Sequence, residues 1–380
     1  LDNNHDINIV GTHLENEFID NLKNNKNLHP GLNTRIPENI KIAVISLPSL
    51  IDKSQLIQKA KSENRHANMK FTFSNPEYSG LGDKFEWAKS CIVISYNYSP
   101  SSSNNHSFRP GEGAVALFAS ENHYIPLEKF IRKLTDLFNN EGIKVKQFID
   151  SPQHYDRIFF NTSGLGWQGK STMMLSPGIG PWQLIGNLYI EEKFEDTEKK
   201  SFSCGSCNLC QISCPTGALD EEYILDSNKC ISYWLQSPDI IPHDMRSSIG
   251  NRFYGCDECL ISCPPGQTRS FNILKTNKVE LQKILKMSSD TLVQRYDWFY
   301  IPKRNGDFLK RNALIALANN PDENALSLMY ELLNSDSEII RFYTIWAIWK
   351  LSKFHEIKNY YDVDHEKSEL VKKEYLRLMK

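Results

Sequence analysis

Eight of the nine cysteines fall between Cys204 and Cys263, and Cys91 alone stands apart. They form two runs. Cys204-x2-Cys207-x2-Cys210-x3-Cys214 ends in Pro215, and Cys256-x2-Cys259-x3-Cys263 ends in Pro264. Thiolates this closely spaced are ligands for soft metals. In the first run three cysteines can reach three irons of one [4Fe-4S] cubane, and the fourth, turned away by Pro215, ligates another cluster. The second run has its first ligand displaced upstream to Cys230. Crossed pairing predicts Cys204, Cys207, Cys210 and Cys263 on one cluster and Cys214, Cys230, Cys256 and Cys259 on the other. The competing ion is zinc, which pairs two CxxC units around one tetrahedral centre. Eight cysteines and two Cys-Pro endings fit two cubanes better. Cys91 lies in an apolar run and reads as a buried small residue. Two clusters imply one-electron transfer to something held elsewhere on the chain.

A second motif is Gly164-Leu165-Gly166-Trp167-Gln168-Gly169-Lys170-Ser171, which matches both GxGxxG and GxxxxGK[ST]. A phosphate-cradling loop must leave a strand and open a helix. Here Arg157 to Asn161 makes a poor strand, and Pro177 leaves little room for a helix. Trp167 would also crowd a backbone nest. The loop is expected to bind neither ATP nor NAD, and packing against another large cofactor stays open.

The elements that must position these motifs are legible in outline. Ile42–Ile45, Cys91–Ile94, Val145–Ile149 and Leu184–Ile190 read as strands. Leu127, Phe130, Ile131, Leu134, Leu137 and Phe138 recur at helical spacing, with Pro126 before them and Gly142 after. Residues from about 35 to 190 are expected to form an α/β domain. Glu191 to Lys200 holds eight charged residues in ten and reads as a connector. From about Leu274 the pattern is helical. Arg311–Leu317 is echoed by Arg341–Ile348, which suggests paired helices of HEAT type or an ordinary helical subdomain.

Three consecutive domains are therefore expected: 1–195 α/β, 196–273 ferredoxin-like with two [4Fe-4S] clusters, and 274–380 all-α and HEAT-like. A chain of 380 residues is long enough for two or three cores. The net charge of −2 excludes a surface that is basic all over, though not a local basic face. No run is long and apolar enough for a transmembrane helix. The first thirty residues include eight Asn and no apolar core of a signal peptide, so a cytoplasmic protein is expected.

Several segments together resemble one family. They are Gly164-Leu165-Gly166-Trp167-x-Gly169-Lys170, Cys214-Pro215-Thr216, Cys230-Ile231-Ser232-Tyr233 and Ile249-Gly250-Asn251-Arg252-Phe253-Tyr254-Gly255-Cys256-Asp257-Glu258-Cys259. With a helical repeat tail, this is similar to the epoxyqueuosine reductases, densely from about Phe148 to Cys263. The resemblance implies cobalamin in the N-terminal domain, two [4Fe-4S] clusters beside it, and reduction of epoxyqueuosine to queuosine at the tRNA wobble position. It implies an external low-potential electron donor, the tRNA anticodon stem-loop as partner, no membrane, and a monomer. It also makes Asp150 the proton donor and Arg157 a stabiliser of the oxyanion that forms when the epoxide C–O bond breaks. Without the resemblance, Asp150 reads as a solvated strand-end residue, and Asp156 is the nearest alternative acid. The implied corrin contacts are Asp150, Arg157, Gly169, Lys170, Ser171, Thr172, Ser232, Tyr233, Gly255, Cys256 and Asp257. There is no Asp-x-His-x-x-Gly motif, so no His ligand to cobalt is expected.

Two departures fall on the substrate side. Ala116 to Tyr124 replaces the usual Arg-Tyr-Ala-x-Gly-x-Asp-Tyr-His, with the Tyr-His order reversed, and Pro265-Gly266 replaces Trp-Asn. A related reductase of a small molecule, akin to reductive dehalogenases, and a plain ferredoxin-type carrier are the alternatives. For tRNA, Arg295, Lys303, Arg304, Lys310 and Arg311, with Lys275, are the basic candidates, and Tyr296, Trp298, Phe299 and Tyr300 could stack on a base. Read from the residues alone, these are as well a solvated helix start and core aromatics.

Overall fold

A computed structural model describes residues 37–47, 54–69, 85–98, 108–151, 154–197, 201–266 and 277–379. The Asn-rich N-terminus, Lys275 and the last residues of the charged connector lie outside them. The chain runs β1 (Ile40–Ser46), α1 (Ser54–Ser62), β2 (Ser90–Asn97), β3 (Glu112–Val115), α2 (Tyr124–Asn140) and β4 (Val145–Ile149). Then come α3 (Asp156–Ser163), β5 (Trp167–Gln168), β6 (Met174–Leu175) and β7 (Gln183–Ile190). The cysteine stretch holds α4 (Leu209–Ile212), α5 (Ile231–Gln236), α6 (His243–Ser248), β8 (Arg252–Tyr254) and α7 (Glu258–Ile261). The tail is β9 (Asn277–Glu280), α8 (Leu281–Lys286), α9 (Ser289–Arg295), α10 (Asp307–Asn319), α11 (Ala325–Leu332), α12 (Glu338–Lys350) and α13 (Glu369–Met379). Among the described residues no helix is long and apolar enough to cross a membrane.

The chain packs as two compact units. One takes in the described parts of 1–101, 123–227 and 258–271, the other those of 102–122, 228–257 and 272–380. This differs from the consecutive division at 195 and 273. The reason is β3, which pairs parallel with β8 and antiparallel with β9. Those ladder hydrogen bonds tie residues near 112 to the helical tail, and the cysteine stretch is shared out with them.

The first unit is built on a four-stranded sheet in the order β1-β2-β7-β4. Every pairing is antiparallel, so helices and strands are mixed here without parallel crossovers. β2 is one of the two inner strands, and its run Ser-Cys-Ile-Val-Ile-Ser-Tyr is buried on both faces. Cys91 is sealed there, as its sequence context indicates, and burial pushes its thiol up. α2 buries Leu127, Phe130, Ile131, Leu134 and Phe138, the stripe its spacing predicts. Each such side chain contributes roughly 1.5–3 kcal/mol. Gly186 on β7 lets the helix approach: a Cβ there would stand 2.3 Å from Ile131 Cδ1.

In the second unit α10 and α12 are the central helices, buried nearly all round. The echoed arginines both serve the packing. Arg341 holds Glu366 at 2.7 Å. Arg311 is 1% exposed. Its guanidinium donates to the carbonyls of Ser237 (2.7 Å), Trp234 (3.1 Å), Leu235 and Asp239 (3.3 Å each). It therefore satisfies the orphan carbonyls at the end of α5.

Candidate active site and metal centre

The first cysteine run is turned by Gly205, in the left-handed region at φ 53°, and by the single helical turn α4, which carries Cys210. Cys263 lies just past α7. Ser213 Oγ reaches Ser262 Oγ at 2.7 Å, which pins α4 and α7 side by side. Cys263 comes within reach of Cys204, Cys210 and Cys207. Burial first, then these three thiols, push Cys263 up to about 12. Burial and the charges of Cys204 and Cys207 raise Cys210 too. Two of these four thiols, Cys210 and Cys263, are held protonated by burial and their neighbours, which suits a cationic centre that neutralises them. Among the described residues they do not converge as a single-ion site. A cubane places each thiolate on a different iron, so the donor set fits that cluster. No disulfide joins any of the nine cysteines. Cys263→Ala should cut iron from about eight per chain to about four, read by iron and sulfide analysis, whereas Cys91→Ala should leave it unchanged.

Of the other four, Cys214 and Cys259 belong to the first unit and Cys230 and Cys256 to the second. Cys214 Sγ accepts a backbone N–H from Ala218 at 3.3 Å. Cys230 starts α5, and Cys256 follows Gly255, whose φ is 72°. A Cβ on Gly255 would stand 2.5 Å from that of Ala116, so this position tolerates only Gly.

A second cluster of polar groups forms where β4 meets α3. Asp150 is exposed, at φ 44°, a conformation Asp tolerates better than most side chains. Tyr124 donates a hydrogen bond to it, and burial followed by the charges of Asp150 and Asp156 raises the Tyr124 phenol. Asp156 opens α3. Burial lifts its carboxyl to about 6; Arg157 opposes the rise and Asp150 adds to it. Arg157 is exposed and donates to Thr172 O at 3.2 Å. Asp150, Arg157, Tyr124 and Asp156 are thus brought together: an exposed acidic side chain, a fixed cation, a phenol and an acid raised to about 6.

Sequence reasoning missed Tyr124 and His154. The reversed His123-Tyr124 order was the available signal. His123 is buried and stacked on Tyr98 at 5.0 Å, which leaves Tyr124 for Asp150. His154 stacks on Phe148 at 4.5 Å and meets Tyr189 Oη at 3.3 Å, with Nε2 sealed and unpartnered. Burial lowers it to about 3. As pH falls from 6.5 toward 3, the unfolded chain takes up a proton that the fold refuses, so stability drops. Relative to His154→Phe, the parent should lose about 3 kcal/mol between pH 7 and pH 4.5, read from urea midpoints.

The implied corrin contacts fall in both units. Gly169, Lys170 and Ser171 are buried in their own loop, and Lys170 pairs with Glu222 at 2.7 Å. Thr172, Ser232 and Tyr233 are half-buried, and Asp257 Oδ2 accepts from Leu117 N at 2.6 Å. The glycine loop leaves helix α3 and enters the β5–β6 hairpin, the reverse of a phosphate-binding loop.

The basic candidates divide. Arg295, Lys303 and Arg304 are exposed and Lys310 half-buried. Arg311 is corrected: its charge is spent on four buried carbonyls and is out of reach of a phosphate. Among the aromatics, Tyr296 and Phe299 stack in the core at 4.8 Å, and Trp298 donates to Ala119 O at 3.0 Å. Tyr300, 64% exposed, is the one open to a base.

The chain is an iron–sulfur protein: a profile of the 4Fe-4S double cluster binding domain matches residues 203–266. The resemblance read from its motifs is borne out by relatives. It is 29% identical over 233 residues to an epoxyqueuosine reductase of Bacillus subtilis (strain 168), a match covering 59% of each chain. It is 29% identical over 252 residues to that of Listeria monocytogenes, covering 64% of this chain and 66% of the relative. These matches span less than two thirds of either relative. A solved selenomethionine-labelled epoxyqueuosine reductase shares the fold at TM-score 0.77 and 25% identity, over 90% of this chain and 95% of that one. Another, solved with an epoxyqueuosine-modified tRNA-Tyr stem loop, gives TM-score 0.80 at 23% identity, over 96% and 98%.

Proposed function

We propose that this chain is an epoxyqueuosine reductase, converting epoxyqueuosine at the tRNA wobble position to queuosine with cobalamin and two [4Fe-4S] clusters. The observation that carries this reading is that the likeness extends over 90% of the chain and not over the cysteine runs alone. Removing the epoxide oxygen as water takes two electrons and two protons. An external low-potential donor feeds the clusters.

The Arg157 guanidinium, exposed and held on Thr172 O, is a donor that suits a corrin edged with amides. When bound, cobalamin supplies electrons at cobalt for C–O cleavage. Asp150 holds the proton that the departing oxygen needs, Tyr124 orients its carboxyl, and Arg157 stabilises the developing oxyanion. Asp156, protonated up to about pH 6, is placed to resupply Asp150. The helical tail, read as HEAT-like, presents Arg295, Lys303, Arg304, Lys310 and Tyr300 to the anticodon stem-loop. The protein acts as a cytoplasmic monomer.

The test is mass analysis of wobble nucleosides after tRNA carrying epoxyqueuosine meets the reconstituted, reduced protein. Queuosine is the expected product, and an unchanged epoxide with both cofactors loaded overturns the reading. Lys303→Glu with Arg304→Glu should weaken tRNA binding and reduce the slope of log K against log salt by about two, without loss of fold.

A further inference from the structure

The glycine loop runs from a helix into a hairpin, and the fold brings one of its side chains to a cluster sulfur. The hairpin closes tightly at Gly166, where a Cβ would stand 1.8 Å from Leu175 O. That closure fixes Trp167, whose buried ring lies against Phe202 at 5.5 Å between centroids. Its Nε1–H donates to Cys204 Sγ at 3.3 Å. Lys170, buried and paired with Glu222 at 2.7 Å, lies within electrostatic reach of the same sulfur.

We infer that this loop sets the reduction potential of the cluster held by Cys204, Cys207, Cys210 and Cys263. A reduced cluster carries one more negative charge, spread partly over its thiolate sulfurs. An N–H dipole aimed at one sulfur stabilises that charge more than the oxidised state, and so raises the potential. The loop's glycines serve this by letting the hairpin close, which presents the indole edge outward to the metal centre. The inference rests on the iron–sulfur reading of residues 203–266.

The experiment is an EPR-monitored redox titration of the anaerobically reconstituted full chain, parent against Trp167→Phe. Phenylalanine keeps an aromatic ring against Phe202 and removes the N–H. At a fixed applied potential, the oxidised-to-reduced ratio of one cluster should rise about tenfold, equivalent to about 59 mV for a one-electron couple. The other cluster should titrate as before. Unmoved potentials in a fully loaded variant overturn the proposal. If the variant fails to load iron, parent protein carrying indole-15N tryptophan decides. A 15N hyperfine coupling on the reduced cluster supports the hydrogen bond, and its absence overturns it. A parent chain with no cluster signal at all instead overturns the iron–sulfur reading beneath.

Discussion

Asp150→Asn should leave iron, sulfide and corrin content at parental levels while turnover falls by two to four orders of magnitude. Positioned acids contribute about that much to proton transfer. Asparagine keeps the size and the left-handed backbone tolerance that φ 44° demands, so the fold is not strained. It can still accept the Tyr124 hydrogen bond, so the variant isolates the loss of the proton itself. Single-turnover formation of queuosine, with cofactors quantified in the same sample, is the measurement. Full activity would move the acid role to Asp156, whose carboxyl burial holds at about 6. Asp156→Asn then discriminates. If Asp156 only resupplies Asp150, its loss slows steady-state turnover and spares the first.

Arg311→Ala should destabilise the second unit by roughly 3–5 kcal/mol, because it removes four hydrogen bonds and a large buried side chain from a sealed interior. Burial already lowers the Arg311 guanidinium to about 10, with Tyr343 and Asp239 acting against the fall. The damage should reach the metal. Arg311 anchors the far end of α5, and Cys230 opens that helix. Thermal unfolding should come earlier and part of the iron should be lost, whereas Lys303→Glu and Arg304→Glu keep both. A variant that melts with the parent and binds tRNA weakly would return Arg311 to the phosphate-binding set.

Chemistry written in short spacings was legible in the sequence. The cysteine runs and the α2 stripe are local patterns: a double-cluster domain matches the first and the helix buries the second. What escaped was decided over long separations. Whether an Arg faces solvent or a carbonyl at Asp239 cannot be seen from Arg311 and its neighbours, whose motif reads as a basic helix start. The antiparallel sheet joins strands some 40 to 100 residues apart, and β3 pairs with β8 and β9 from well over a hundred residues away. Tyr124 and Asp150 meet only because α2 folds back on β4. Period and composition carry no record of such pairings.

The pairing of Val115 with Tyr254 and Asn277 also constrains how the protein is made. During translation β3 emerges early and must wait for most of the polypeptide before either neighbour exists. Loop-closure entropy makes such a wait slow, and an unpaired strand edge is sticky meanwhile. The four-stranded sheet is complete once residue 190 is made, but β3 stays unpaired until β8 and β9 follow, so a chaperone that shields this segment should matter more for yield than one acting on the finished chain.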